Sequence, residues 1–194
     1  MTFTNYRDAV VPHRLGYTLV EMLVVVTMVA TMMAIALPQL RISGSTRVQL
    51  AGMQLAQDLD LARTRALSTR SSSRVAFASG SRNYTGYLDD NADGTIGETI
   101  AERDALRGFA TRELPANVNF GRGSATAVPG DGTSTAITFA SAKVNFDSRG
   151  LVTPIAAGGV VYLQDMTDPT AVTAVAVSPA GNMRLWTWRN GGWK

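Results

Sequence analysis

The sequence contains no cysteine and a single histidine, His13. Without cysteine the chain has no disulfide, no thiolate nucleophile and no cysteine-ligated metal. No acidic or hydroxyl residue near His13 suggests a catalytic triad, and no cofactor motif or nucleophile constellation occurs elsewhere. We therefore expect a protein that is not an enzyme and that needs no cofactor.

Lysine is also scarce, so nearly all the cations are arginine at a formal net charge of +3. Arginine binds carboxylate and phosphate groups bidentately, so this composition is compatible with polyanion binding. The chain has 194 residues, of which 45% are hydrophobic, and can therefore supply one membrane helix and one modest domain.

A long apolar stretch follows a polar leading segment, residues 1–16, which bears Arg7 and Arg14 and ends in Gly16. The next 21 residues, 17–37, would span about 30 Å as a helix, which is the thickness of the hydrocarbon layer. A secretory signal peptide would be cleaved after its apolar core, whereas Gly16 precedes this one. The leading cations favour a cytoplasmic amino terminus.

Glu21 is the one charged residue within the apolar stretch. An ionised carboxylate inside a spanning segment costs about 2.5 to 3.5 kcal/mol, so a positive group should compensate it. Cleavage after Gly16 would give Tyr17 a free amine, and the same amine on a neighbouring subunit could pair with Glu21. Such a pair would also fix the axial register between subunits.

These residues resemble the class III signal of type IV pilins and pseudopilins, Gly16-Tyr-Thr-Leu-Val-Glu21. The resemblance implies that prepilin peptidase cleaves after Gly16 and that the new amino terminus, Tyr17, is N-methylated. It also implies that Glu21 directs docking into a filament. Pro38 falls where family members commonly have a helix-kinking proline. Tyr17 stands where phenylalanine or methionine is usual.

Beyond Pro38, apolar residues recur at intervals of three and four, which predicts an amphipathic continuation of the helix. The predicted stripe consists of Val48, Ala51, Leu55, Leu59, Ala62 and Ala66. Pro38 and Gly44 are expected to lie at a joint between the two helical parts. The head should pack against the stripe.

Short runs rich in β-branched and aromatic residues follow from position 74 and predict antiparallel strands. They cover residues 74–78, 84–88, 136–139, 144–146, 159–163, 172–178 and 183–188. Residues 121–135 are rich in small and polar residues without periodicity, which predicts a long mobile loop.

Segments of the head resemble the GspH/FimT class of minor pilins and H-type pseudopilins. They comprise residues 61–67 with 74–77, 87–94 with Glu98, 146–150, and 175–184. The resemblance implies an α+β type IV pilin fold, with a long amino-terminal helix packed on an antiparallel β-sheet head. The expected organisation is a leader peptide at 1–16, a transmembrane and filament-core helix at 17–40, its amphipathic continuation at 41–72, and a β-rich globular head at 73–194.

The segment from Asp89 to Gly94 imitates the start of a calcium loop, with Asn91 and Asp93 at alternating positions. The twelfth loop position is Ile100, so the bidentate acid is missing there, and Glu98 comes two residues early. A solvated Asp-Gly hairpin turn without metal is the favoured interpretation.

The end of the sequence, residues 181–194, has three cations, three tryptophans and no acid. A strand would place Arg184, Trp186 and Trp188 on one face, which suits a nucleic-acid surface formed with Arg189 and Lys194. Alternatively, the tryptophans simply cover the core. Some members of the FimT subgroup bind DNA through a Gly-Arg-x-Arg element; Gly181 and Arg184 match it, and Asn182 replaces its first arginine.

Four arginines cluster near the expected helix end, where the helix dipole favours cations, and a structural role is predicted for Arg63, Arg65, Arg70 and Arg74. Together these observations predict a minor pilin of a type IV pilus that assembles in or primes the filament near its tip, with DNA binding for uptake as a further property. The alternatives are an H-type pseudopilin of a type II secretion system and a DNA-uptake receptor of natural transformation. Expected partners are other pilins or pseudopilins, prepilin peptidase, the bacterial inner membrane and DNA, with the head in the periplasm.

Overall fold

The computed structural model describes residues 16–39, 43–78, 80–154 and 157–194. The chain divides into two compact units, Met1–Arg41 and Ile42–Lys194. Arg7, His13 and Arg14, and with them most of the expected leader peptide, lie outside the described residues.

In the described part of the first unit, residues 16–39, there is one helix, α1 (Leu19–Gln39). The helix begins two residues after the expected Tyr17, because the Thr18 hydroxyl caps it by accepting a hydrogen bond from the Glu21 amide at 3.1 Å. The window Leu19–Ala36 has a mean hydropathy of 2.3 and is long and apolar enough to cross a membrane.

Pro38 lies in the last turn of α1 rather than beyond the helix. A proline there removes one backbone donor, and α1 ends one residue later at Gln39. The next helix, α2 (Gly44–Thr69), begins after Ser43, whose hydroxyl accepts from the Thr46 amide. Most of the predicted joint, residues 40–42, lies outside the described residues.

Helix α2 carries the predicted apolar stripe, and all six of its residues are buried. The prediction of an amphipathic helix is therefore confirmed. The helix ends at Thr69, and the next residue, Arg70, adopts the left-handed conformation that commonly terminates helices. Burial of this stripe supplies the interface on which the rest of the second unit is built.

In the described segments after α2, ten strands form two antiparallel sheets of five strands each. In chain order the elements are β1 (Ser73–Phe77), β2 (Asn83–Leu88), α3 (Ile100–Ala105), β3 (Thr111–Glu113), β4 (Val118–Phe120), a 3₁₀ turn (Ala140–Ala142), β5 (Lys143–Phe146), β6 (Val152–Thr153), β7 (Gly159–Asp165), β8 (Val172–Val177), β9 (Met183–Arg189) and β10 (Gly192–Trp193). The first sheet has the order β3-β2-β1-β5-β6, and the second has the order β10-β9-β8-β7-β4. The predicted α+β architecture, a helix packed on antiparallel strands, is confirmed.

Six of the seven predicted strands occur, each displaced by no more than two residues. The strand predicted at 136–139 is wrong, because this segment forms only an isolated bridge between Ile137 and Val161. This segment and β4 lie along the same edge of β7. The part of that edge that β4 leaves unpaired is too short for a second β-ladder. The missed strands β3, β4, β6 and β10 have two or three residues each and are too short for an alternating pattern.

Helix α3 was not predicted, because its signal in the sequence is the cap at its amino terminus and not a periodicity of apolar residues. Its cap is a capping box, in which the Thr99 hydroxyl accepts from the Glu102 amide and the Glu102 carboxylate accepts from the Thr99 amide. The helix has six residues, about a turn and a half, so it carries no readable apolar stripe.

The apolar side chains of the second unit form two clusters. The main core lies between α2 and the inner faces of both sheets, and includes Leu55, Phe77, Val144 and Val175. A smaller cluster lies on the other face of the second sheet, which we call the outer face. Its members are Val128, Val160, Tyr162 and Ala174, with Ala176, Trp186 and Trp193 packed against them.

A buried carboxylate lies within the main core. Asp58 of α2 is only 4% exposed, accepts a hydrogen bond from the Tyr84 hydroxyl at 2.6 Å, and pairs with the Arg112 guanidinium at 3.0 Å. Burial and this hydrogen bond both raise the pKa of Tyr84. Asp60, two residues along the same helix, is exposed, because side chains two positions apart lie on different faces of a helix.

We expect Asp58→Ala to lower the free energy of unfolding by about 1–3 kcal/mol, because it leaves the buried Tyr84 hydroxyl and Arg112 without their acceptor. Asp60→Ala on the exposed side of the same helix is the matched control and should change stability by less than about 0.5 kcal/mol. Urea unfolding of the full chain in detergent micelles measures both. Equal stability of the two variants would contradict a stabilising role for the Asp58 contacts.

Candidate functional site

The junction between Gly16 and Tyr17 is accessible. Residues 16–18 have no regular structure, Tyr17 is 74% exposed, and no described atom lies within 4 Å of the position that a side chain on Gly16 would take. A peptide bond in such a segment can enter the active site of a peptidase without unfolding a helix. The helix cap at Thr18 places this bond immediately outside α1.

Glu21 lies in the first turn of α1. Its amide is satisfied by Thr18, and its carboxylate is stabilised by the positive end of the helix dipole. Within the described residues the carboxylate has no hydrogen-bond or ion-pair partner. The described residues therefore leave this carboxylate available to a further group.

A second candidate site lies on the outer face of the second sheet. Arg184, Trp186 and Trp188 alternate along β9 as predicted, and the Arg184 guanidinium lies 3.9 Å from the centre of the Trp186 ring. The ring of Trp188 contacts that of Trp193 at 5.2 Å, edge to face. Arg184 is exposed, and this contact with an aromatic face is a cation–π interaction.

The three cations of the predicted nucleic-acid surface do not share this face. Arg189 follows the opposite alternation and donates a hydrogen bond to Gln49 of α2 at 3.4 Å. Lys194 pairs through its main chain with Thr187, which places it on the side away from Trp193. Of these three cations, Arg184 is the one on the same face as the tryptophans, because side chains an odd number of positions apart in a strand point to opposite faces.

The tryptophans do not cover the main core. Trp186 and Trp193 pack against the smaller cluster, and Trp188 contacts Trp193. The cluster lies beneath the loop formed by residues 121–135, which has no regular secondary structure, as predicted. The Trp193 indole donates to the carbonyl groups of Thr126 and Ala127, both at 3.1 Å. These contacts attach the loop to the sheet.

Tyr162 of β7 provides a second attachment for the same loop. Its hydroxyl accepts a hydrogen bond from the Val128 amide at 2.9 Å and donates one to the Asp131 carboxylate at 2.5 Å. Burial and the bond to Asp131 raise the pKa of Tyr162 to about 12, so the hydroxyl stays protonated at neutral pH. Arg122 lies 4.9 Å from the Tyr162 ring and adds a second cation to the outer face.

Two of the four clustered arginines have structural partners that confirm their predicted role. Arg63 donates to the carbonyl groups of Gly150 at 3.1 Å and Ala180 at 3.2 Å, and so joins two turns. Arg74 donates to Asn145 and pairs with Glu98 at 3.0 Å. The turn residue Gly181 has a φ of +78° and touches Gly150, which leaves no room for a side chain.

The segment with Asp89, Asn91 and Asp93 is not a hairpin turn. It leads from β2 towards α3, and β2 pairs with β1 and β3 instead. Asp89 is only 2% exposed, so the expectation of a solvated turn is also wrong at this residue. Among the described residues, no three acidic or histidine side chains are grouped so that they could hold a metal ion by themselves.

Residues 12–37 match the family model described as "Prokaryotic N-terminal methylation motif". The chain thus carries this motif, and the resemblance of the amino-terminal segment to prepilins is confirmed. No curated protein matches the sequence significantly.

Solved structures with a similar course of the chain include two proteins of the pilin and pseudopilin class. The type IV minor pilin FimU of Pseudomonas aeruginosa is 15% identical, with 71% of this chain and 87% of that chain covered and a TM-score of 0.46. The minor pseudopilin EpsH from the Type 2 Secretion System of Vibrio cholerae is 12% identical, with 73% and 97% covered and a TM-score of 0.48.

We expect the processed chain to begin at N-methylated Tyr17 when it is produced together with a prepilin peptidase, because the Gly16–Tyr17 bond is accessible ahead of the helix cap. Intact-mass spectrometry measures this. Gly16→Leu should block processing, and Tyr17→Phe, which keeps an aromatic side chain, should be processed like the parent. A chain that retains residues 1–16 beside an active peptidase would contradict the assignment.

Proposed function

We propose that this chain is a minor pilin of the GspH/FimT type that is anchored in the bacterial inner membrane and then assembles into a type IV pilus, near the filament tip. The observation that carries the proposal is the accessible Gly16–Tyr17 junction directly before an apolar helix with one carboxylate. Its role is structural: it binds other pilins instead of transforming a substrate.

The membrane location follows from α1 and from the leading cations. The apolar window Leu19–Ala36 can span a bilayer once. Arg7 and Arg14 precede it and favour a cytoplasmic amino terminus, which would leave the second unit in the periplasm. Prepilin peptidase acts on such a junction at the cytoplasmic face and is the first expected partner.

The assembly partners follow from Glu21. A carboxylate in an apolar helix costs about 2.5 to 3.5 kcal/mol unless it is compensated, and within the described residues it has no partner. The free amine of a processed pilin supplies the missing charge on a neighbouring subunit. Pairing between subunits lowers this cost only in the assembled filament, so it favours assembly in a single axial register.

We expect Glu21→Ala to be processed and inserted normally but to co-assemble with partner pilins about ten-fold less, because loss of a pair worth about 1.4 kcal/mol changes an equilibrium ten-fold. Co-purification with partner pilins from membranes and sheared filaments measures the loss. Glu21→Gln, which keeps the shape without the charge, should fail in the same way. Co-assembly of the alanine variant at the parent level would show that the charge has no such role.

An H-type pseudopilin of a type II secretion system is the alternative, since the same motif and helix serve both machines. The two assignments differ in the partners they require. Cross-linking in the native organism should recover type IV pilus subunits under our proposal, and subunits of a secretion pseudopilus under the alternative.

DNA binding, as in uptake during natural transformation, is a second candidate function, favoured by the exposed Arg184 stacked on Trp186. Arg122 lies on the same outer face, and the indole and guanidinium planes offer surfaces on which bases can stack. Asp131 is the acidic residue beside them and is bound to Tyr162. Arg189 and Lys194 lie on the opposite side of the strand pair, so we assign them no primary contact.

Fluorescence anisotropy with the full chain in detergent micelles tests DNA binding. If two cations contact phosphate groups, a plot of the logarithm of the binding constant against the logarithm of the salt concentration should have a slope of about −2. Arg184→Ala should remove most of the binding, and Arg189→Ala on the same strand but the opposite face should leave it nearly unchanged. Absence of salt-sensitive binding, or an unchanged affinity in Arg184→Ala, would restrict the protein to assembly.

A further inference from the structure

The strongest unexplained feature of the second unit is the carboxylate of Asp89. The residue follows the last residue of β2 and is 98% buried, since only 2% of its surface is exposed. Its Oδ2 atom accepts a hydrogen bond from the Gly94 amide at 2.9 Å, whereas its Oδ1 atom is buried without a hydrogen-bond partner. Burial of an ionised carboxylate with one oxygen unsatisfied is costly.

Within the described residues, no cation forms an ion pair with this carboxylate. The ion pairs of the second unit involve other acids, and Asp89 forms none in the part of the chain that the structure describes. The nearby Arg74 pairs with Glu98 and with the Ile96 carbonyl instead. A buried acid that protein cations leave unpaired is a group that a metal cation would stabilise.

The chain folds back over this carboxylate, so oxygen ligands are available at alternating positions. The bond from Gly94 to Asp89 closes the loop, and Gly94 has a φ of +81°, which allows the sharp turn. Asn91 and Asp93 follow at the spacing that calcium loops use, and the main-chain carbonyl of Thr95 falls at the seventh position.

The side chains between Asp89 and Gly94 are ordered before any ion binds. The side-chain amide of Asn91 donates a hydrogen bond to Oδ2 of Asp93 at 2.8 Å. The Oδ1 atom of Asp93 accepts one from the main-chain amide of Thr95 at 2.8 Å. The bond from Thr95 holds the loop backbone in its turn, and a bound ion would replace the bond from Asn91 at the Oδ2 atom of Asp93.

The acid that would complete a high-affinity loop is absent. Glu98 is held by Arg74 and Lys143, and Glu102 is used in the capping box of α3. The loop thus offers two carboxylates, one amide oxygen and main-chain oxygens. This set agrees with the absence of a cluster of three acidic or histidine side chains, and it predicts weak rather than tight binding.

We propose that residues 89–95 form a low-affinity calcium site in which the buried Asp89 carboxylate, Asn91, Asp93 and the Thr95 carbonyl bind the ion. The dissociation constant should lie at about 10⁻⁴–10⁻³ M, the range of extracellular calcium modules with few charged ligands. Magnesium should bind less well, because it requires near-ideal octahedral geometry and loses its waters reluctantly.

Thermal unfolding of the full chain in detergent micelles, with EDTA or with about 10 mM calcium, tests the site. Calcium at about ten times the dissociation constant should raise Tm by roughly 3–6 °C, and the same concentration of magnesium should raise it less. Isothermal titration with calcium chloride should give one saturable site. Absence of both a Tm shift and a saturable heat would overturn the proposal.

Matched variants separate metal binding from a structural role of the carboxylates. Asp93→Asn should abolish the calcium-dependent shift, and Asp90→Asn, at an exposed acid in the same loop, should retain it. Asp89→Asn should lose the shift while remaining as stable as the parent in EDTA, because it removes an uncompensated buried charge. A calcium shift that persists in Asp93→Asn, or a loss of stability in Asp89→Asn that is equal with and without calcium, would contradict the site.

Discussion

The packing of α2 across both sheets is the contact on which the second unit depends. Its six-residue apolar stripe is fully or almost fully buried, and the helix ends are fixed by arginines. Near its start, Arg47 pairs with the buried Asp165 at 2.7 Å, and two turns before its end Arg63 joins the turns at Gly150 and Ala180. Two five-stranded sheets that share no strand are thereby held on one helix.

This arrangement leaves the outer face of the second sheet without a helix to cover it. The face is instead covered by the 121–135 loop, which is attached through Tyr162 and Trp193. The aromatic side chains at the end of the sequence therefore have a packing role, and Arg184 is exposed beside them. The packing that buries the apolar side chains of this face also leaves an exposed cation, which could bind a polyanion.

The described residues of the amino-terminal unit, unlike those of the second unit, do not bury one another's side chains. The apolar side chains of α1 are exposed, and Glu21 has no partner for its carboxylate within the described residues. A membrane and then neighbouring subunits can meet both requirements in succession. Asp89 is a similar case, since its buried Oδ1 atom has no hydrogen-bond partner in the part of the chain that the structure describes, and a cation from solution would satisfy it.

The sequence by itself determined the amino-terminal motif, the apolar stripe of α2 and six strands, because each depends on local spacing of three, four or two residues. It did not determine which side chains meet. The pairing of Asp58 with Tyr84 and Arg112, the contact of Arg189 with Gln49, and the burial of Asp89 were decided only by the tertiary structure. Some of these features join residues far apart in the chain, and others depend on which face of a strand meets the helix. The local spacing of residues in the sequence encodes neither kind of feature.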